Sequence, residues 1–136
     1  MRNIVVIDLN VIVSALLTSG IDRRILEAVT EDTITPVFSP DMLNNLARVL
    51  IRPHLKLELQ DIKGALTTLK LKSIIVKPEI KISACRDASD NIILETTLAG
   101  NARAIVTNDP DLLVLNPFRG RPILNSRQFL KTLKTL

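Results

Sequence analysis

The sequence has no tryptophan, no tyrosine, one histidine and one cysteine among its 136 residues. A single cysteine, Cys85, excludes an intramolecular disulfide and a cysteine-rich zinc site. It reads as a buried or half-buried small hydrophobe. The single histidine, His54, lies in Arg52-Pro53-His54, far from Cys85 in sequence, and reads as a surface loop residue. Ser-His-Asp and Cys-His catalysis therefore have little to build on. Aromatic residues are 2%, three Phe in all, so stacking platforms of the kind many single-strand binders use are missing. Recognition of a nucleic acid would have to run through backbone and shape. No run approaches the roughly 18 apolar residues of a membrane span. Asp8 and Asn10 interrupt the first apolar run and no small-residue cleavage site follows, so no signal peptide is read there and a cytoplasmic location is expected.

What is present is apolar material and well-placed acid. The chain is 46% hydrophobic, enough for the core of a single domain covering residues 1–136. No internal repeat, low-complexity segment or linker stands out. The formal net charge is +4. Basic rims around an acidic cleft would suit an enzyme acting on nucleic acid, although the same charge also serves solubility.

The apolar runs fall into an alternating pattern. Residues 3–8, Ile34 to Phe38, Ser73 to Val76 and Ala104 to Thr107 read as strands, with Ile123-Leu124 as an edge strand. Asn10 to Leu17 and Ile21 to Val29 read as helices broken around Thr18-Ser19-Gly20. Ser39-Pro40-Asp41 is a helix start with Ser as N-cap and Pro at the first helical position. The helix it opens stops at Pro53. Leu57 to Leu71, Ala88 to Ala99, Pro110 to Leu115 and Ser126 to Leu133 complete the set, the last capped by Ser126. Strands alternating with helices give an α/β fold, a three-layer α/β/α sandwich around a mainly parallel sheet.

Aspartates sit at the ends of these runs. Asp8 closes Ile4-Val5-Val6-Ile7, and a charge there must be paired or bind something. Asp109 follows Ala104-Ile105-Val106-Thr107-Asn108. Asp87-Ala88-Ser89-Asp90 opens a helix, so one of Asp87 and Asp90 is a cap and the other a ligand candidate. Glu95, five residues after Asp90, reads as part of a solvated face. Thr107 could hydrogen-bond a carboxylate or phosphate, Asn10 could orient a neighbour, and Asp111 could cap the short helix. The C-terminal ends of parallel strands are where open α/β sheets bind ligands. Asp8, Asp90 and Asp109 would then meet in one cleft. Carboxylates clustered with few other catalytic side chains point to a divalent metal and phosphodiester chemistry.

Four blocks carry a resemblance: Ile4 to Leu17, Ser39-Pro40 to Arg52-Pro53, Arg86-Asp87-Ala88-Ser89-Asp90-Asn91, and Ala104 to Leu113. Together they resemble PIN-domain proteins, and more narrowly the bacterial VapC-like group described as toxin components of toxin–antitoxin systems. The resemblance spans residues 3 to about 125. It implies an α/β/α fold and a ribonuclease dependent on Mg²⁺ or Mn²⁺. It implies Asp8, Asp90 and Asp109 as the catalytic and metal-binding acids, with Thr107, Asn10, Asp87 and Asp111 as accessory positions. It also implies an antitoxin partner and a homodimer. One position departs from the pattern. The second block usually supplies a glutamate where this chain has Asn45, which brings a carbonyl oxygen but no charge; Asp41, one turn earlier, could compensate.

Three functions follow as expectations. The first is an endoribonuclease whose basic residues, such as Arg48, Arg52, Arg86, Arg119 and Arg121, hold the RNA backbone. The second is a degenerate module that binds RNA or a partner protein without cleaving, because of Asn45. The third, a phosphotransfer fold with Asp8 as nucleophile, is opposed by Asn10 where the commonest hydrolase pattern needs an acid, and by the lack of a phosphate-anchoring lysine after Asp109.

Overall fold

A computed structural model describes residues 3–134. Its elements alternate along the chain. They are β1 (Asn3–Ile7), α1 (Leu9–Leu17), α2 (Ile21–Thr30), β2 (Ile34–Phe38), α3 (Pro40–Leu50), α4 (Leu59–Lys72) and β3 (Ile74–Ile75). After a long loop come α5 (Ala88–Ala99), β4 (Ala104–Val106), α6 (Pro110–Leu113), β5 (Ile123–Leu124) and α7 (Ser126–Lys134). A short 3₁₀ turn at Pro53–Leu55 follows α3, where proline prevents the helix from continuing.

The five strands form one sheet in the order β3-β2-β1-β4-β5, and every pairing is parallel. The sheet is thus wholly rather than mainly parallel, with helices covering it as an α/β/α sandwich. The reason lies in the strands themselves. Val5, Val6, Ile7, Ile105 and Val106 are all buried, and a strand apolar on both sides is satisfied only with a layer on each face. Two-residue β3 and β5 form the edges, which leaves little unpaired backbone for edge-to-edge association.

Strand order matters for function. From β1 the chain winds outward through β2 to β3, then returns to place β4 on the other side of β1. Between β1 and β4 the winding reverses, so the connections leaving their C-terminal ends part and open a crevice. The register Ile7↔Val106 sets those two ends side by side.

Gly100, the C-cap of α5, is placed where the helix passes close over β2. A Cβ there would stand 2.5 Å from Cγ1 of Val37, itself fully buried. Gly100→Ala is therefore expected to destabilise the fold by about 1–3 kcal/mol through overpacking, measured as a lowered urea midpoint with an unchanged slope.

No helix among the described residues is long and apolar enough to cross a membrane. Elsewhere the N-cap of the C-terminal helix differs from expectation. The cap of α7 is Asn125 rather than Ser126: its Oδ1 accepts from Gln128 N at 2.8 Å, and Gln128 Oε1 accepts from Asn125 N at 2.9 Å. This reciprocal box leaves Ser126 free to donate to Asp22 on α2 at 2.5 Å.

Candidate active site

Asp8 follows β1 directly and is the N-cap of α1. Its Oδ1 accepts from Asn10 N at 3.3 Å, and its Oδ2 accepts from Thr107 Oγ1 at 2.7 Å. Thr107 follows β4 directly. It donates to Asp8 and accepts from Asp109 N at 3.0 Å, so one buried hydroxyl ties the ends of the two central strands together. Asp109 in turn caps α6, its Oδ1 accepting from Asp111 N at 2.9 Å. Capping and site-building are the same act here. β1 and β4 each lead into an aspartate that supplies an acceptor for the first N–H groups of the next helix; the second oxygen of Asp8 accepts from Thr107, and the second oxygen of Asp109 accepts none of the hydrogen bonds described.

Asp87 caps α5 by accepting from Ser89 N at 2.9 Å, which leaves Asp90, in the first turn, as the inward-facing acid of that pair. Asp90 is 7% exposed. Among the described residues no hydrogen bond reaches its carboxylate. Burial, then the charges of Asp109, Asp87, Asp8 and Asp111, push its pKa up from 3.8 to about 6. Asp8 is raised as well, chiefly by burial, with the Thr107 and Asn10 hydrogen bonds opposing and Asp109 adding to the rise. The carboxylates sense one another, and a bound cation would relieve that repulsion.

Asp8, Asp90 and Asp109 line one open cavity of about 350 Å³ at the reversal between β1 and β4. Asn10, Asn45 and Asp87 line it too. Asp111 and Asp41 do not, so Asp41 is not placed to make good the missing carboxylate at Asn45. Asp111 is exposed and its backbone, not its side chain, serves the cap. Leu9, Met42, Val49 and Ile93 form the apolar part of the wall. Of the five arginines singled out from the sequence, Arg48 and Arg52 line the cavity. Arg121 is turned to Ala102 O at 2.7 Å and Asn101 Oδ1 at 2.8 Å, and Arg119 lies over the Phe118 ring. A larger groove of about 460 Å³ between α2 and α4 has Asp61 as its one carboxylate and lacks comparable chemistry.

One side chain here departs from the sequence reading and two agree with it. Glu95 is not on a solvated face: it is buried, and its Oε2 accepts from Ile82 N at 2.9 Å, fastening the loop before α5. Cys85 is half-buried as expected. Its backbone N–H donates to Asn91 Oδ1 and its carbonyl accepts from Asn91 Nδ2. Burial and the nearby carboxylates push its thiol pKa up, which disfavours the nucleophilic thiolate. His54 is exposed in the 3₁₀ turn.

The donors suit a hard divalent cation, since every candidate ligand is oxygen. Among the described residues no three His, Cys, Asp or Glu side chains already converge tightly enough to enclose an ion. Mg²⁺ tolerates such a site, because it is commonly held by one or two carboxylates with water and substrate phosphate in the remaining positions.

The sequence was compared with known proteins. Residues 4–111 match the family model described as PIN domain. The chain is also 34% identical over 115 residues to a protein of Methanocaldococcus jannaschii named as uncharacterized protein MJ1680, covering 82% of this chain and 74% of that one. PIN domains are generally nucleases and typically use divalent metal ions. With most of its length matched and a five-stranded parallel sheet of the expected order of layers, this chain belongs to the PIN domain family.

Proposed function

We propose that this protein is a metal-dependent endoribonuclease acting on single-stranded RNA, with residues 1–136 forming one PIN unit. The observation that carries the reading is the meeting of Asp8, Asp90 and Asp109 from three separate segments in one open cleft at the sheet's reversal point. In this reading the three carboxylates hold Mg²⁺ or Mn²⁺. The ion, when bound, supplies Lewis acidity toward the phosphate and a nucleophilic hydroxide at neutral pH. The remaining work belongs to the chain. Thr107 holds Asp8 in place and fixes the turn that carries Asp109. Asp87 and Asn10 border the cleft as accessory polar groups, and Asp111 acts through its backbone N–H. No imidazole is required, and the one histidine does not line the cleft.

The toxin role, an antitoxin that covers the cleft, a homodimer and a cytoplasmic setting are proposals resting on resemblance to the bacterial toxin group. A second reading has its own observation. Asn45 stands in the cleft without a charge, and its Oδ1 is taken by Arg48 at 2.7 Å. A site one carboxylate short binds hard cations more weakly, and the same cleft would then bind RNA or a partner without cutting it.

Incubation of a mixed-sequence single-stranded RNA with the protein separates the two. The nuclease reading expects internal cleavage that requires Mn²⁺ or Mg²⁺ and stops with chelator. Intact RNA at every metal concentration, with RNA still bound, would leave the binding module.

A further inference from the structure

The cleft lining carries both signs of charge. Asp8 and Asp109 follow β1 and β4 and Asp90 lies in the first turn of α5, while Arg48 and Arg52 stand at the C-terminal end of α3. Arg48 lies in the last turn of α3 and Arg52 just past its end, in extended backbone, and both line the cleft. Both are exposed, and neither is drawn into an ion pair among the described residues, where the sole salt bridge joins Lys72 to Asp32. Arg48 instead donates to the neutral Asn45 amide oxygen. Asn45 therefore does more than subtract a ligand. At this spacing a carboxylate would pair with Arg48 and cancel its charge, whereas the amide orients the guanidinium and leaves its charge for something else. A nucleic-acid strand entering a cleft with four aspartates on its lining needs a cationic anchor on that lining, since repulsion by the carboxylates opposes every phosphate.

We propose that Arg48 and Arg52 form a phosphate seat that holds the backbone of single-stranded RNA in the cleft without any metal, with Asn45 as the positioning residue that keeps Arg48 available. The seat deepens the nuclease reading by giving the substrate a fixed approach to the three aspartates. Guanidiniums suit this task, being permanently charged and able to engage phosphate oxygens two at a time.

The test is fluorescence anisotropy of a short labelled single-stranded RNA, with chelator present, over a range of salt. Arg48→Gln and Arg52→Gln should each bind roughly three- to tenfold more weakly, with the slope of log K against log salt smaller by about 0.7. Arg48→Lys should retain the slope. Asn45→Glu should act in opposite directions on two ligands: weaker metal-free RNA binding, and tighter Mn²⁺ binding measured by calorimetry without RNA. Thermal melts of each variant check that the fold stays intact. Unchanged slopes in both Arg→Gln variants, or no metal-free binding by the wild type, would overturn the seat. So would Asn45→Glu binding RNA as the wild type does. Because chelator removes cleavage from the readout, the two proposals fail separately. Arginine-dependent binding by a protein that never cuts RNA sinks the nuclease reading alone. Metal-dependent cutting with arginine-independent binding sinks the seat alone.

Discussion

Asp109→Asn is expected to reduce Mn²⁺-dependent RNA cleavage by at least 10²- to 10³-fold, about 3–4 kcal/mol of transition-state stabilisation, while the protein stays folded. The substitution separates two functions of one side chain. As a cap, Asp109 supplies an oxygen to Asp111 N, and an asparagine carbonyl oxygen can do the same at little cost. As a cleft residue it supplies negative charge, which asparagine cannot. Asp8→Asn should be similarly inactive but is a less clean experiment. Asp8 accepts two hydrogen bonds, one on each oxygen, from Asn10 N and Thr107 Oγ1. An amide has one acceptor oxygen, so one of those donors loses its partner in a buried setting, at a cost of about 1–3 kcal/mol. The discriminating result is thus a melting curve near wild type combined with lost cleavage in Asp109→Asn. Wild-type rates in that variant would remove Asp109 from the metal site and with it the central claim of the proposed function.

How much of this was visible in the sequence varies by residue, for physical reasons. The strands were legible because burial on both faces demands unbroken Val and Ile runs, and Ile4 to Ile7 and Ala104 to Val106 are such runs. The helix that begins at Pro40 was legible because Ser39 and Pro40 are residues that helix starts select. Asp8 and Asp109 were legible as strand-end acids, but their capping of α1 and α6 was not separable from a ligand role, since one chemistry serves both. Strand order was hidden, because β1 and β4 are nearly a hundred residues apart and only the tertiary fold makes them neighbours. Glu95 was misread because α5 is buried over much of its circumference, including Ile93, Leu94, Thr96 and Thr97. Spacing from Asp90 then says nothing about solvent, and a buried acid can be satisfied by a loop N–H that no helical pattern reveals. The cap of α7 was misplaced by one residue because Asn125 and Ser126 are both good caps, and the difference lies in Asp22, which claims the Ser126 hydroxyl. Among the arginines, composition offered five equivalent candidates. Placement selected Arg48 and Arg52.

The second large effect concerns stability rather than rate. With metal removed, the protein should become less stable as pH rises through about 6, and Asp90→Asn should abolish the part of that dependence that Asp90 carries, leaving the part from Asp8, which is raised as well. In the folded protein Asp90 holds its proton to about pH 6, against 3.8 for an ordinary aspartate, because burial and the surrounding carboxylates penalise the charge. A group that binds its proton more tightly when folded favours the folded state at low pH. That contribution is complete below the unfolded value and is lost as pH rises through the folded one. At pH 8 the charged Asp90 therefore destabilises the metal-free fold by on the order of 1–3 kcal/mol. Asp90→Asn removes that penalty, so its metal-free melting temperature at pH 8 should lie several degrees above wild type, at roughly 3–5 °C per kcal/mol. Mn²⁺ should invert the behaviour. It binds the carboxylate form, so wild type should gain stability with added Mn²⁺, and more so at pH 8 than at pH 5.5, while Asp90→Asn should gain little. Melting curves at pH 5.5 and 8, with chelator or millimolar Mn²⁺, read all four conditions. A variant less stable than wild type at pH 8 without metal would mean that Asp90 stabilises the fold instead of straining it. An acid that costs stability until a cation arrives is what a site kept for binding rather than for packing should contain.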